Sequence, residues 1–182
     1  GTFITAEESW STYATPPAAG GASPYGRLFE LRNPLSAPGI VDPVTSSSND
    51  GADFVHRNVV PRTSHEGIQF DRDGNMYFID ELNGGAIYKY TPYADFGRVL
   101  RGRADYFAAG RTFVLRVGDG ATPNATGAYS WVPITTPMGD GLPGTLVITD
   151  VNGVVSVDAR NTTDLPAFKG TDYQRPEDLQ IQ

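Results

Sequence analysis

Glycine and proline interrupt this chain at close intervals, and this spacing limits the length of any regular element. The 182-residue sequence contains 21 glycines and 14 prolines, and long runs of good helix formers are absent. Both residue types are unfavourable inside helices and favourable in turns. The pattern predicts an all-β protein built from many short strands joined by tight turns. Because 39% of the residues are hydrophobic, the chain can also form a core.

The strongest local signal is a hairpin. Two apolar segments, 67–70 and 75–79, flank the turn sequence DRDG, which predicts a type I′ turn with Asp73 and Gly74 at its centre. Loops are predicted at 15–24 and 33–53, which are rich in turn residues. The remaining apolar segments predict strands at 1–8, 27–32, 86–90, 112–117, 129–134, 144–149 and 153–158, and a single helix at about 93–107.

Two internal similarities predict a repeated architecture. Residues 1–8 (GTFITAEE) align with 74–81 (GNMYFIDE) at an offset of 73 residues. In both segments a predicted strand ends in a pair of acidic residues. Residues 65–70 (HEGIQF) resemble 176–181 (PEDLQI), so a strand begins twice with glutamate at an offset of 111 residues. β-Propellers repeat blades of about 40–50 residues with variable loops.

The number of elements predicts a partial β-propeller of two to three blades with long inter-strand loops. Closure of a propeller needs at least about four blades. Residues 1–182 are therefore expected to be a fragment of one propeller domain. The remaining blades would lie outside this chain, possibly in a partner chain.

The hairpin places two acids against each other. With a type I′ turn at 73–74, the strands would pair so that Glu66 faces Glu81. Like charges in directly opposed positions are destabilising. A hard cation such as Ca²⁺, which takes six to eight oxygen ligands, would neutralise them. Solvation of both carboxylates at the rim of a blade is the alternative.

Further acids occupy equivalent strand ends. Glu7 and Glu8 match the acidic pair that includes Glu81, and Glu177 matches Glu66. Since the ends of inner propeller strands converge on a central channel, these acids would gather at one mouth. Such a cluster either has raised pKa values or binds metal ions. All five glutamates are therefore predicted metal ligands.

Arg175 is the candidate receptor for an anion. Its planar guanidinium suits a phosphate bidentately, and Pro176 stiffens the backbone that aims it. Pairing with Glu177 or Asp172 at the surface is the alternative.

Two other signals are weaker. His65 adjoins Glu66, so it could support a metal ligand or transfer a proton, and a role in a turn or cap is the alternative. The sequence Asn124-Ala125-Thr126 and residues 161–163 match the glycosylation sequon, which is a frequent pattern.

Charge limits the classes of partner. The formal net charge of −7 and the pI near 4.7 disfavour nucleic acids and anionic membrane surfaces, which require clustered Lys and Arg. No apolar stretch approaches the roughly 18–20 residues of a membrane span. An anionic ligand would therefore need a local cation. The chain has no cysteine, which excludes disulfides and cysteine-based zinc sites.

Four motifs, in order, resemble the PhoX alkaline phosphatases and their relatives: residues 1–8, 64–67 (SHEG), 77–81 (YFIDE) and 175–177 (RPE). The resemblance spans nearly the whole chain. It implies a six-bladed propeller, secreted by bacteria into the periplasm or medium, that hydrolyses phosphate monoesters with calcium ions and an iron pair. It also implies metal ligation by Glu66, Glu177, Glu8 and Glu7, and contact of Arg175 with the substrate phosphate.

One position departs from the family pattern. Ala6 stands where the family's phosphatases carry cysteine. A methyl group cannot bridge iron, which puts the iron pair in doubt, whereas calcium needs only oxygen ligands. Three functions stay open: a calcium-dependent phosphoesterase acting on a phosphate ester or another small anion, a non-catalytic calcium-binding structural or adhesion propeller outside the cell, and another propeller hydrolase such as a calcium-dependent lactonase.

Overall fold

A computed structural model describes residues 2–8, 25–32, 54–149 and 153–181 of the chain. The predicted loops at 15–24 and 33–53 lie outside these ranges. The described residues form ten strands and two short helices: β1 Phe3–Ala6, β2 Leu28–Leu31, β3 Phe54–His56, β4 His65–Phe70, β5 Met76–Asp80, β6 Ile87–Pro92, α1 Phe96–Leu100, β7 Gly110–Val117, β8 Tyr129–Pro133, β9 Val147–Thr149, β10 Val155–Val157 and α2 Ala159–Thr162.

The strands form three antiparallel sheets. Strands β1, β2 and β3 make one sheet, and β4 to β8 follow one another in a five-stranded meander. The hairpin of β9 and β10 is the third sheet. The predicted all-β class is confirmed. The arrangement of these sheets as propeller blades stays a prediction.

The hydrophobic core lies against one face of the five-stranded sheet. Phe78 of β5 and Tyr88 of β6 are register partners with stacked rings, whose centroids are 5.1 Å apart. Val114 of β7 and Leu28 of β2 are fully buried in the same cluster. Each such aliphatic or aromatic side chain contributes about 1.5–3 kcal/mol when it is fully buried.

The turn between β4 and β5 is longer than predicted. Phe70 pairs with Met76, and Gly74 has a left-handed φ of +86°. Five residues, 71–75, separate these partners, so the predicted two-residue type I′ turn is wrong. The side chain of Asp71 accepts a hydrogen bond from the backbone N–H of Asn75 at 2.8 Å. Local bonding of this kind favours the longer turn.

A β-bulge lies near the open end of the same hairpin. His65 pairs with Asp80, and the register shifts by one residue between His65 and Ile68. Glu66 lies in this bulge, and Glu81 follows the last paired residue of β5. The predicted direct opposition of these two glutamates is therefore wrong in register. Both residues nevertheless lie at the open end of the hairpin, where the bulge moves the pairing by one further residue in the same direction as the longer turn.

Three other expectations also differ from the structure. The helix predicted at 93–107 is reduced to α1, which ends before Gly102, a residue with a left-handed φ of +65°. Strand β3 and helix α2 were not predicted. The strand expected at 176–181 does not form. Residues 176–181 are described by the structure, and none of them pairs with another strand.

Candidate functional site

Three glutamates converge where β1, β4 and β5 come together. Glu8 follows β1, Glu66 lies in β4 and Glu81 follows β5. Each offers one carboxylate oxygen, and the three oxygens lie within 4.8 Å of one another. Glu8 is exposed, and the other two residues are half-buried. We refer to these three residues as the glutamate cluster.

The backbone of residues 64 and 65 ties the strand ends together. The N–H of His65 donates to the carbonyl of Glu7 at 3.1 Å, and the N–H of Glu81 donates to the carbonyl of Ser64 at 3.0 Å. The Ser64 hydroxyl also donates to the carbonyl of Glu8. Buried Ser64 therefore links the end of β1 to the end of β5 and sets the spacing of the cluster. The sequence predicts no such role for Ser64, because no periodic pattern marks a link of this kind.

The electrostatics of the cluster disfavour the ionised form of Glu66. Burial is the largest cause of a raised pKa at Glu66, and repulsion from Glu8 and Glu81 adds to it, followed by Asp178 and Glu177. A bound cation would remove this repulsion and favour the ionised form. The donor atoms are all carboxylate oxygens, which fits Ca²⁺.

Glu7 is held away from the cluster by Arg27. The backbone N–H and Nε of Arg27 donate to Oε2 of Glu7 at 2.8 and 3.1 Å, and the second guanidinium nitrogen lies 2.7 Å from Oε1. Arg27 is buried. Both carboxylate oxygens of Glu7 are thus engaged by one arginine, and Glu7 is not among the residues that the structure brings together in the cluster.

The second repeat has the same division of roles. Asp80 is fully buried, and its Oδ2 accepts a hydrogen bond from Arg160 at 2.8 Å. The 73-residue similarity aligns Asp80 with Glu7 and aligns Glu81 with Glu8. In each acidic pair, the first residue binds an arginine and the second enters the cluster. The sequence similarity predicts the acidic pairs but not the arginines that bind their first members.

Arg175 lies beside the cluster. Its guanidinium is 2.5 Å from a carboxylate oxygen of Glu81 and 3.5 Å from one of Glu177. The hydrogen bond to Glu81 is the largest cause of a raised pKa at Arg175, which stays charged. The side chain is 58% exposed, so part of the guanidinium faces solvent. Arg175 also has a left-handed φ of +46°, an uncommon conformation for a residue with a side chain, and it precedes Pro176.

The turn between β5 and β6 holds the segment that leads to Arg175. The N–H of Tyr173 donates to the carbonyl of Gly85 at 2.8 Å, and the N–H of Gly84 donates to the carbonyl of Tyr173 at 3.0 Å. A Cβ atom at Gly85 would lie 1.9 Å from the carbonyl oxygen of Asp80, so this turn requires glycine. The same turn therefore positions both the cluster and the arginine.

Glu177 is exposed and lies outside the glutamate cluster. The backbone around it runs beside β4, because a Cβ atom at Gly67 would lie 2.7 Å from the backbone nitrogen of Leu179 and 3.0 Å from the carbonyl of Glu177. Glycine at position 67 permits this approach. Glu177 reaches the site through its 3.5 Å contact with Arg175.

The side chain of His65 belongs to the core. It is buried, and its ring centroid lies 5.2 Å from that of Phe78. Burial lowers the pKa of His65 to about 3, so the imidazole is neutral near pH 7. This environment favours a packing role over proton transfer.

Two clefts among the described residues lie elsewhere. They have volumes of about 570 and 920 Å³ and share Arg57, Asp105 and Phe107 among their lining residues. No member of the glutamate cluster lines either cleft. The cluster is thus a surface site at the ends of strands.

The fold and the site define an all-β protein in which a carboxylate cluster adjoins an arginine, an arrangement suited to a cation and an anion together. A family model of the alkaline phosphatase PhoX matches residues 1–182. The chain therefore belongs to the PhoX alkaline phosphatase family, and this membership supports a phosphatase function. Comparisons with curated proteins and with solved structures gave no match. None of the helices in the described residues is long and apolar enough to cross a membrane.

Proposed function

We propose that this protein is a calcium-dependent phosphate-monoester hydrolase, in which the glutamate cluster holds Ca²⁺ and Arg175 contacts the substrate phosphate. The observation that carries the proposal is the 2.5 Å contact between Arg175 and Glu81. This contact joins the anion-binding residue to the cation-binding residues in one site. Family membership supports the class of reaction.

The chain supplies two kinds of group to this reaction. Glu8, Glu66 and Glu81 offer oxygen ligands whose mutual repulsion a cation relieves. Bound Ca²⁺ would polarise phosphoryl oxygens and stabilise negative charge on them. Arg175 orients the phosphate through its solvent-facing N–H groups, because a guanidinium can donate two parallel hydrogen bonds to a phosphate.

The absence of a thiolate favours calcium over an iron pair. The chain contains no cysteine, and the half-buried Ala6 ends β1 just before the acidic pair. Carboxylate oxygens alone satisfy calcium, whereas soft thiolate ligands are absent. We also propose that the sheets are two to three blades of a propeller and that the protein is secreted, as is typical of the family.

A second candidate function uses the same cluster without catalysis. Ala6, at the family's cysteine position, favours a calcium-bound structural or adhesion module outside the cell. In that module the cluster would hold the ends of β1, β4 and β5 together. Both candidates require calcium binding, so hydrolysis is the property that separates them.

The proposal is tested by measuring hydrolysis of a chromogenic phosphate monoester with added Ca²⁺ and after chelation. We expect hydrolysis to require Ca²⁺ and to fall at least roughly tenfold in Arg175→Ala, because hydrogen bonds to charged groups are the stronger kind. Arg72→Ala removes an exposed arginine from the hairpin turn and is the matched control.

Two results would contradict this assignment. Hydrolysis that survives chelation would remove the calcium requirement. Calcium binding without hydrolysis of phosphate monoesters would favour the structural module.

A further inference from the structure

The loop before β8 contains a second residue with a left-handed backbone. Within the described parts of the chain, Asn124 and Arg175 are the non-glycine residues with positive φ, at +56° and +46°. Asparagine tolerates this conformation better than most residues because its side chain is short and polar. The two residues belong to segments that are bonded to each other.

Asn124 holds the backbone that immediately precedes Arg175. Its N–H donates to the carbonyl of Asp172 at 2.8 Å. Its side-chain oxygen accepts a hydrogen bond from the N–H of Gln174 at 2.9 Å. One residue thus clamps the backbone on both sides of Tyr173, and the side-chain bond ends one position before Arg175.

Other bonds complete the clamp. The hydroxyl of Tyr173 donates to the carbonyl of Ala125 at 3.1 Å, and the opposite edge of the segment is bonded to Gly84 and Gly85. A rare backbone conformation persists only where the surroundings fix the neighbouring residues. The exposed side chain of Arg175 contacts Glu81 and Glu177, and the bonds to Asp172, Tyr173 and Gln174 hold the backbone that precedes it.

We propose that Asn124 is a positioning residue, whose side-chain oxygen fixes Gln174 and thereby aims Arg175 at the glutamate cluster and at a bound phosphate. The inference rests on the proposed function, because it concerns Arg175 as the phosphate contact. It also gives Asn124, the first residue of the glycosylation-type sequence Asn124-Ala125-Thr126, a role in holding the fold together.

The test uses variants that separate the side-chain bond from the backbone conformation. Asn124→Gly keeps the left-handed backbone and the N–H but removes the acceptor. Asn124→Asp keeps an acceptor oxygen, and Thr126→Ala removes an exposed neighbour from the same loop. Asn124→Ser, with a shorter side chain, is a second removal variant if Asn124→Gly does not fold.

Binding of inorganic phosphate in the presence of Ca²⁺ is the first measurement, with kcat and KM for the chromogenic ester as the second. We expect Asn124→Gly to weaken phosphate binding about fivefold, the factor that corresponds to one hydrogen bond. Calcium affinity should not change. Asn124→Asp should restore binding to within about twofold of the unmodified protein, and Thr126→Ala should bind phosphate normally.

A double-mutant cycle shows whether Asn124 acts through the arginine. If it does, Asn124→Gly has no further effect on phosphate binding when Arg175 is already alanine. The inference would be overturned if Asn124→Gly weakened phosphate binding equally with Arg175 present and with Arg175→Ala. It would also be overturned if Asn124→Gly left phosphate affinity unchanged, or if Thr126→Ala weakened phosphate binding by the same factor. Unchanged phosphate binding in Arg175→Ala alone would overturn the proposed role of Arg175, and the inference with it.

Discussion

Glu8 and Glu81 occupy equivalent positions in the internal repeat, and their carboxylates meet in one cluster. They lie 73 residues apart in sequence, and each directly follows an acid that binds an arginine. One carboxylate oxygen from each, together with one from Glu66, lies within 4.8 Å of the others. The repeat therefore brings two copies of one strand end to a single site.

Replacing Glu66 should change stability in opposite directions with and without calcium. In Glu66→Gln, the carboxylate that suffers repulsion is gone, so the metal-free protein should be slightly more stable. Stabilisation by Ca²⁺ should decrease, because a charged ligand is lost. Melting temperatures in chelator and in Ca²⁺ measure both effects. Asp73→Asn, at the far end of the same hairpin, makes the same change in charge and is the control. Equal shifts in melting temperature for the two variants would contradict this expectation.

Glu7 should contribute to stability more than to calcium binding. Glu7→Gln weakens the hydrogen bonds from Arg27, a buried arginine, and we expect a loss of about 2 kcal/mol in the free energy of unfolding. Urea unfolding and calcium titration of the same variant separate the two roles. Lost calcium affinity with unchanged stability would instead identify Glu7 as a metal ligand.

Ionised Asp71 should stabilise the β4–β5 hairpin, and this stabilisation should be lost at acid pH. Burial by itself would raise the pKa of Asp71, but hydrogen bonds from Asn75, Tyr77 and Asp73 outweigh it and hold the pKa below its usual value. A carboxyl with a depressed folded-state pKa stabilises the protein above its unfolded-state pKa of about 4. That contribution is lost as the pH falls through the folded-state pKa.

Asp71→Asn should therefore lower the free energy of unfolding by about 1 kcal/mol at pH 7, a figure limited by the partial exposure of the turn to solvent. The difference from the unmodified protein should shrink between pH 5 and pH 3. Urea unfolding at these pH values is the measurement. An equal difference at every pH would show that ionisation of Asp71 does not matter.

The residue at position 6 should determine whether the protein binds iron in addition to calcium. We expect elemental analysis of the purified protein to find calcium with little or no iron, because a methyl group offers no ligand. Ala6→Cys places a thiolate next to the acidic pair and should raise the iron content and the rate of ester hydrolysis. Substantial iron in the unmodified protein would show that the carboxylates suffice for iron. No gain of iron or hydrolysis in Ala6→Cys would favour the structural module.

Local sequence determined the class of structure and much of the strand pattern. Glycine and proline at close intervals exclude long helices, and short apolar runs bounded by turn residues mark strands such as β5 and β7. The repeat, read from sequence, also identified Glu8 and Glu81 as equivalent strand ends. These properties depend on neighbouring residues, so they can be read along the chain.

Tertiary structure decided which acids meet and which do not. Glu7 and Asp80 resemble their neighbours in sequence, yet Arg27 and Arg160 bind them, and these arginines come from other segments of the chain. The register near Glu66 likewise depends on a longer turn and a bulge, each of which moves the pairing by one residue in the same direction. A one-residue shift in pairing sends a side chain to the other face of a sheet, and distant charged partners are not encoded in local periodicity. The composition of the glutamate cluster therefore follows from packing, whereas the supply of acids at strand ends follows from the sequence.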